Sequence, residues 1–233
     1  MLKVIVTNPP RADLGLVDKL ADFGVATVHE AIGRDGYLGP GIRPIQVGTR
    51  IGGTAVTAVC WPGDNLMIHA AVEQCQPGDI LVVTTTSPCS DGSFGELLAT
   101  SLAAHGVRGL VTAGGVRDVA ELRAMGFPVW TASVSAQGTV KETPGAVNTP
   151  VVIGGQTISP GDAIIADDDG VVCVPRLVVP TAAEKSAQRV AKEEDSRKAL
   201  ADGSLGLDMY GLRAKLAGVE YLTAEEYRAR TMG

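Results

Sequence analysis

The chain has 233 residues, 45% apolar and 4% aromatic, with a formal net charge of −6. That is enough for one large domain, or one domain with an extension, around a true core, and the acidic balance with no recurring basic stretch argues against a nucleic-acid partner. No run approaches the roughly 18 apolar residues of a membrane span, Cys60, Cys75, Cys89 and Cys173 lack paired metal spacing, and "MLKVIVTNPP" is too short an apolar run for export, so a cytoplasmic protein is expected.

In chain order, residues 13–22 and 25–32 have helical apolar spacing, with Leu14, Val17 and Leu20 on one stripe. "RIGGTAVTAVCW" (50–61) reads as a strand rich in β-branched residues. "PGDNLMIHAAVEQC" opens as a turn and becomes a helix, and "PGDILVVTTT" follows as a turn and a buried strand. "FGELLATSLAAHG" is a helix closed by Gly106. "VRGLVTA" is then a strand, "RDVAELRAMG" a helix and "FPVWTAS" an extended piece. Residues 136–149 form a polar loop long enough to suggest a functional role.

"VVIGGQTIS" carries a Gly154-Gly155 hairpin signal, and "PGDAIIADDDGVVCVP" predicts a second hairpin whose three aspartates belong to its turn. A long charged helix starts at Thr181, with Glu184 completing a capping box. Two short helices follow over 205–230, with little core of their own, which points to packing on another subunit. Helices alternate with strands early and hairpins dominate later, so α/β layers with a mixed sheet are expected. The division expected is 1–180 for a catalytic domain and 181–233 for a helical extension.

Several residues could carry chemistry. Asp118 reads as a helix N-cap, with Glu121 three residues on. Arg117 beside it reads either as a solvated surface arginine or as a contact for an anion. Side chains of adjacent helical residues do not face each other, so the pair is not expected to be merely an internal ion pair. At "GELL" the amides of Leu97 and Leu98 are free to bind a carboxylate, while Glu96 suits a first helical turn on dipole grounds alone. Asn65 and His69 share one helical face; Asn65 also suits an N-cap, and His69 a core or capping role. Glu193 and Glu194 can pair with Arg197 and Lys198 on a solvated face. Taken together, these oxygen donors suit Mg²⁺ or Mn²⁺ better than zinc. No glycine-rich phosphate loop appears.

The stretches "GVATVHEAIGR", "PGDNLMIHAAVEQCQPGDILVV", "SPCSDGSFGELLATSLAAHGVRGLVTAGGVRDV", "SAQGTVKETPGAVNTPVV" and "PGDAIIADDDGVVCVP" together resemble the 4-carboxy-4-hydroxy-2-oxoadipate/4-hydroxy-4-methyl-2-oxoglutarate aldolases of the RraA-like superfamily. The most specific mark is an acid, twenty intervening residues, then Arg-Asp, here Glu96, Arg117 and Asp118. The resemblance implies a layered α/β/β/α sandwich and a class II pyruvate aldolase of protocatechuate and gallate breakdown, in a homohexamer or homotrimer. It assigns Mg²⁺ or Mn²⁺ to Asp118, metal waters to Glu96, and a further carboxylate, Glu193 or its neighbour Glu194, from an adjacent subunit. It also assigns enolate stabilisation to Arg117, the pyruvyl carboxylate to the turn Gly95, Glu96, Leu97 and Leu98, a polar site role to Asn65 and a distal anion to Lys141. Family aldolases usually carry Asp where this chain has Glu96, and the extra methylene reaches roughly 1.5 Å further. The alternative is a non-catalytic RraA-like regulator of RNA processing; such regulators lack the full Arg-Asp pairing. A methyltransferase is the weaker reading.

Overall fold

The computed structural model describes residues 3–231. By contact the chain divides into two compact units, Met1–Val190 and Ala191–Gly233.

In the first unit a short strand β1 (Val4–Ile5) precedes helices α1 (Leu14–Phe23) and α2 (Val25–Ala31). Asp13 caps α1 by accepting from the Leu16 amide at 2.9 Å. Strands β2 (Arg43–Pro44) and β3 (Ile51–Cys60), helix α3 (Leu66–Val72), strands β4 (Asp79–Thr85) and β5 (Gly92–Phe94), and helix α4 (Glu96–Ala104) follow. Next are β6 (Gly109–Val116), α5 (Val119–Ala124), β7 (Val129–Val134) and β8 (Ala146–Val147). Two hairpins, β9 (Val151–Ile153) with β10 (Gln156–Ile158) and β11 (Ala163–Asp167) with β12 (Gly170–Val174), lead into helix α6 (Val179–Ala201).

The main sheet runs β1-β8-β3-β4-β6-β7-β2, with β11 and β12 added through β3 and with β5 beside β6. Its centre is parallel, β3 to β4 to β6 to β7, while β11, β8 and β2 join antiparallel, so the sheet is mixed. The parallel strands are buried on both faces and alternate between two cores. Leu81 and Val83 of β4 pack with Ile68 and Ala71 of α3, Leu98 and Leu102 of α4 and Leu122 of α5. Ile80 and Val82 face the other way, onto Trp130, Ile164 and the β9–β10 hairpin residues Val151, Ile153 and Ile158. A third core sets Ile165, Val172 and Val174 of the β11–β12 hairpin against α1, α2 and Ala182 of α6. The layers are therefore helix, sheet, sheet, helix. Complete burial of one leucine such as Leu102 contributes about 1.5–3 kcal/mol.

Both hairpins form where expected. Gly154 and Gly155 hold φ of 59° and 80°, the paired positive values of a two-residue β-turn. In the second hairpin two of the three aspartate side chains are spent on the fold. The Asp167 carboxylate accepts from the Val25 and Asp169 amides, at 2.9 Å each, and both Asp168 oxygens accept from the Gly48 amide at 3.0 Å. Two expectations need correction. The segment 136–149 is not loop throughout, because Ala146 and Val147 form a strand between β1 and β3. Helix α6 begins at Val179, so Thr181 lies inside its first turn and does not cap it.

The second unit continues α6 and adds α7 (Gly206–Met209), a 3₁₀ turn (Arg213–Leu216) and α8 (Ala224–Thr231). Glu193 and Glu194 lie on this part of α6, where Glu194 pairs with Arg197 and, at 3.8 Å, with Lys198. No residue of α7, the 3₁₀ turn or α8 is buried. Among the described residues no helix is long and apolar enough to cross a membrane.

Candidate functional site

The parallel strands β4 and β6 end at one edge of the first unit, where a cleft of about 190 Å³ opens. It is a small-molecule volume, lined by α3 (Asn65, His69), the β5–α4 turn (Ser93, Gly95, Leu97, Leu98), the Arg117-Asp118 corner and the loop residues Thr139 and Lys141. Seven of the eight residues expected at the site within this unit line the cleft. The eighth, Glu96, is the first residue of α4 and donates its amide to the Asp118 carboxylate at 3.2 Å.

Asp118 departs most from the sequence expectation. It stands in the N-cap position of α5, but at φ 56°, ψ 41° it is left-handed and makes no side-chain cap bond. A non-glycine residue in that region costs on the order of 1–2 kcal/mol, a strain that clusters at functional sites. The left-handed corner turns the carboxylate away from α5 and towards α4. It also brings the neighbouring Arg117 Nε to 3.6 Å from Asp118 Oδ2. The two charges approach because neither residue is helical, so the spacing argument for adjacent helical residues does not apply to them. Both side chains remain substantially exposed, at 48% and 38%, so the contact leaves each able to reach a ligand.

Gly95 makes the arrangement possible: a Cβ there would lie 2.3 Å from Asp118 Oδ2. With Gly95 at the N-cap, α4 has no capping side chain, and the first-turn amides of Leu97 and Leu98 have no acceptor a turn earlier. Arg117, the positive end of α4 and these amides thus favour an anion at one point. The Glu96 carboxylate accepts from Thr100 Oγ1 at 3.0 Å, which orients it along the helix face.

The opposite wall is held by side chains. Asn65 is 8% exposed and its Nδ2 donates to the Ser93 carbonyl at 2.8 Å, tying α3 to β5. Because that carbonyl can only accept, the amide orientation is fixed, and Asn65 Oδ1 is buried with no protein donor. Asn65 therefore starts α3 without capping it. His69 faces the cleft one turn on, and burial followed by the charge of Lys141 lowers its pKa, so the imidazole is neutral near pH 7. The helical spacing from Asn65 placed His69 on the right face, but its part in a charged cleft depends on Lys141, 72 residues away.

Asp64 was missed altogether. It is 3% exposed, and its carboxylate accepts from the amides of Leu66 (2.8 Å), Glu142 (2.8 Å) and Thr143 (2.7 Å). Burial alone would raise its pKa, but the three backbone amides outweigh that effect and leave it lowered. "GDN" in the sequence marks a turn, and nothing local to it shows a carboxylate committed to residues 78 and 79 positions away.

The donor set has a definite chemistry. Among the described residues no three His, Cys, Asp or Glu side chains gather around one point. A hard divalent ion takes one or two carboxylates and keeps several waters, so the Asp118 carboxylate on the cleft fits as one such ligand, while that of Glu96 lies along α4 against Thr100. Thiolate ligation is not offered here: Cys60 and Cys75 are free, and burial pushes both up to about 12.

The chain matches the RraA-like family (Aldolase/RraA) over residues 19–173. It is 25% identical over 200 residues to a protein of Halalkalibacterium halodurans named "Putative 4-hydroxy-4-methyl-2-oxoglutarate aldolase", covering 86% of this chain and 95% of that one. A Burkholderia multivorans protein of the same name is 34% identical over 155 residues, which are 65% of this chain and 94% of that one. In structure the chain is similar to Streptomyces coelicolor RraAS2, described as an unusual member of the RNase ES inhibitor RraA protein family. The TM-score is 0.72 at 30% identity, covering 81% of this chain and 99% of that one. With two thirds of its length matched and the layered fold shared, the chain belongs to the RraA-like family.

Proposed function

We propose that this protein is a divalent-metal-dependent pyruvate aldolase. It cleaves 4-carboxy-4-hydroxy-2-oxoadipate to pyruvate and oxaloacetate, and 4-hydroxy-4-methyl-2-oxoglutarate to two pyruvates, in protocatechuate and gallate catabolism. The observation that carries this reading is the left-handed Arg117-Asp118 corner turned onto the N-terminus of α4. The names of the relatives support the reaction class.

In this reading the pyruvyl carboxylate sits on the amides of Leu97 and Leu98, beside Gly95. Arg117 donates to the 2-oxo oxygen, which gains negative charge as the bond between C3 and C4 breaks and the pyruvate enolate leaves. A preorganised cation at that point stabilises the transition state more than the ground state. Asp118 and Glu96, with Glu193 from a neighbouring subunit, would hold Mg²⁺ or Mn²⁺, which supplies Lewis-acid polarisation of the 2-oxo acid. The proton of the 4-hydroxyl is taken up by a water held by the Glu96 carboxylate and returned to C3 of the enolate, which gives pyruvate with no net change in protons. Lys141 meets the far carboxylate of the substrate. The same enolate chemistry gives oxaloacetate decarboxylation as a side activity, and the shared site makes the working form a homohexamer or homotrimer.

The likeness to RraAS2 favours a second reading, a protein-binding regulator without catalysis. Incubation with oxaloacetate and Mg²⁺, following pyruvate with and without a chelator, separates the two. The aldolase reading expects pyruvate release that exceeds a protein-free control at the same Mg²⁺ and that the chelator stops; release no faster than that control, or indifferent to the chelator, favours the regulator.

A further inference from the structure

Lys141 is exposed on a loop, and a lysine on a free loop would sample much of the solvent around it. This loop is not free. The Val140 amide donates to the Gly63 carbonyl and the Asn65 amide to the Val140 carbonyl, each at 2.9 Å, so Asp64 and Val140 form an isolated parallel bridge. The Asp64 carboxylate then takes the next two loop amides, Glu142 and Thr143, together with Leu66 at the start of α3. The two residues that follow Lys141 and the backbone that precedes it are thus fixed to the turn that begins α3. Lys141 is held between anchored neighbours on both sides.

We propose that Asp64 is a positioning residue that sets the cation of Lys141 over the cleft, and so fixes how far from the pyruvyl end a second carboxylate is read. The proposal rests on the aldolase reading for the identity of the substrate, but the fixing of Lys141 by Asp64 can be tested without it. The Asp64 side chain touches no cleft space itself, since its oxygens are consumed by three amides. Its action on a ligand passes through Lys141. Losing it releases the Glu142 and Thr143 amides, leaves Lys141 held on its Val140 side alone, and turns a placed charge into a roaming one.

The test is a mutant cycle of Asp64→Ala, Lys141→Ala and the double variant in the full chain, read in two ways. The first is NMR titration of His69, one of three histidines. Lys141→Ala should raise the His69 pKa by removing a nearby cation. Asp64→Ala should raise it too, although deleting an anion would by itself lower an imidazole pKa or leave it unchanged. The double variant should titrate as Lys141→Ala does. The second reading is KM for 4-carboxy-4-hydroxy-2-oxoadipate. It should rise about tenfold in each single variant, the scale of one lost charge-assisted hydrogen bond, and no more than about twofold further in the double.

A His69 pKa unmoved or lowered by Asp64→Ala, or KM effects that multiply in the double variant, would overturn the proposal. If the wild-type protein cleaves no 4-hydroxy-2-oxo acid, the aldolase reading fails, and the titration still decides whether Asp64 sets Lys141. Should Asp64→Ala not fold, Asp64→Asn carries the same test. It keeps the side-chain volume but must present an N–H to at least one of the three amides, so the changes should have the same sign and be smaller.

Discussion

One wall of the cleft, where α4 faces Arg117 and Asp118, is built from backbone: a glycine that makes room, a left-handed residue and the free amides of a helix start. The other, where α3 faces the 139–143 loop, is built from side chains: the Asp64 carboxylate tying two segments 78 residues apart, and Asn65 bridging to β5. The backbone wall offers fixed donors where charge develops, and such groups cost no reorganisation during reaction. The side-chain wall offers a cation whose distance from the first wall depends on one anchor. Chemistry is thus expected on the first wall and substrate selection on the second, and substitutions should separate the two.

The largest effect should come from Arg117→Ala. A drop in kcat of about 10²–10³ is expected, with the far-ultraviolet spectrum and melting temperature unchanged because the side chain is exposed. Next is Gly95→Ala, whose Cβ at 2.3 Å forces the Asp118 carboxylate aside. A misplacement near 1 Å can cost about 10² in rate, so kcat/KM should fall by roughly that factor. On the opposite wall Lys141→Ala should raise KM for the tricarboxylate about tenfold and leave kcat near wild type, the signature of binding lost equally in ground and transition states. If Lys141→Ala lowered kcat as strongly as Arg117→Ala, the division between the walls would collapse.

The smallest effect concerns stability. Asp64 has a folded-state pKa below its ordinary value of 3.8. Its contribution is therefore fully present above that value and is lost as the pH falls through the lower folded one. Urea titrations between pH 7 and 3 should show wild-type stability falling at the acid end, and Asp64→Asn should fall less over the same interval.

The backbone wall was the more legible in sequence. "FGELL" announces an uncapped helix start and "GGVRD" a strand turning into a helix, and the structure brings Gly95, Leu97, Leu98, Arg117 and Asp118 to one cleft. What could not be read was the left-handed φ of Asp118, because a capping role and a left-handed corner use the same residue type in the same place. The central sheet was legible by another signal: Ile80 to Val83 form a continuous apolar run after a PGD turn, the mark of a strand buried on both faces, as its packing into two cores bears out. The side-chain wall was not. Ala146 and Val147 are too few to display alternation, and the partners of Asp64 are backbone amides, which carry no sequence signature. Long-range anchoring of this kind becomes visible only when the fold brings the segments together.

The most direct test of the central claim, that Arg117, Asp118 and the α4 amides form one pyruvate-binding corner, is a crystal structure with pyruvate and Mg²⁺ bound. The account predicts the pyruvate carboxylate within hydrogen-bonding distance of the Leu97 and Leu98 amides, its oxo oxygen facing Arg117, and the metal on Asp118. Pyruvate bound elsewhere, or this corner empty of both at saturating concentration, would contradict it.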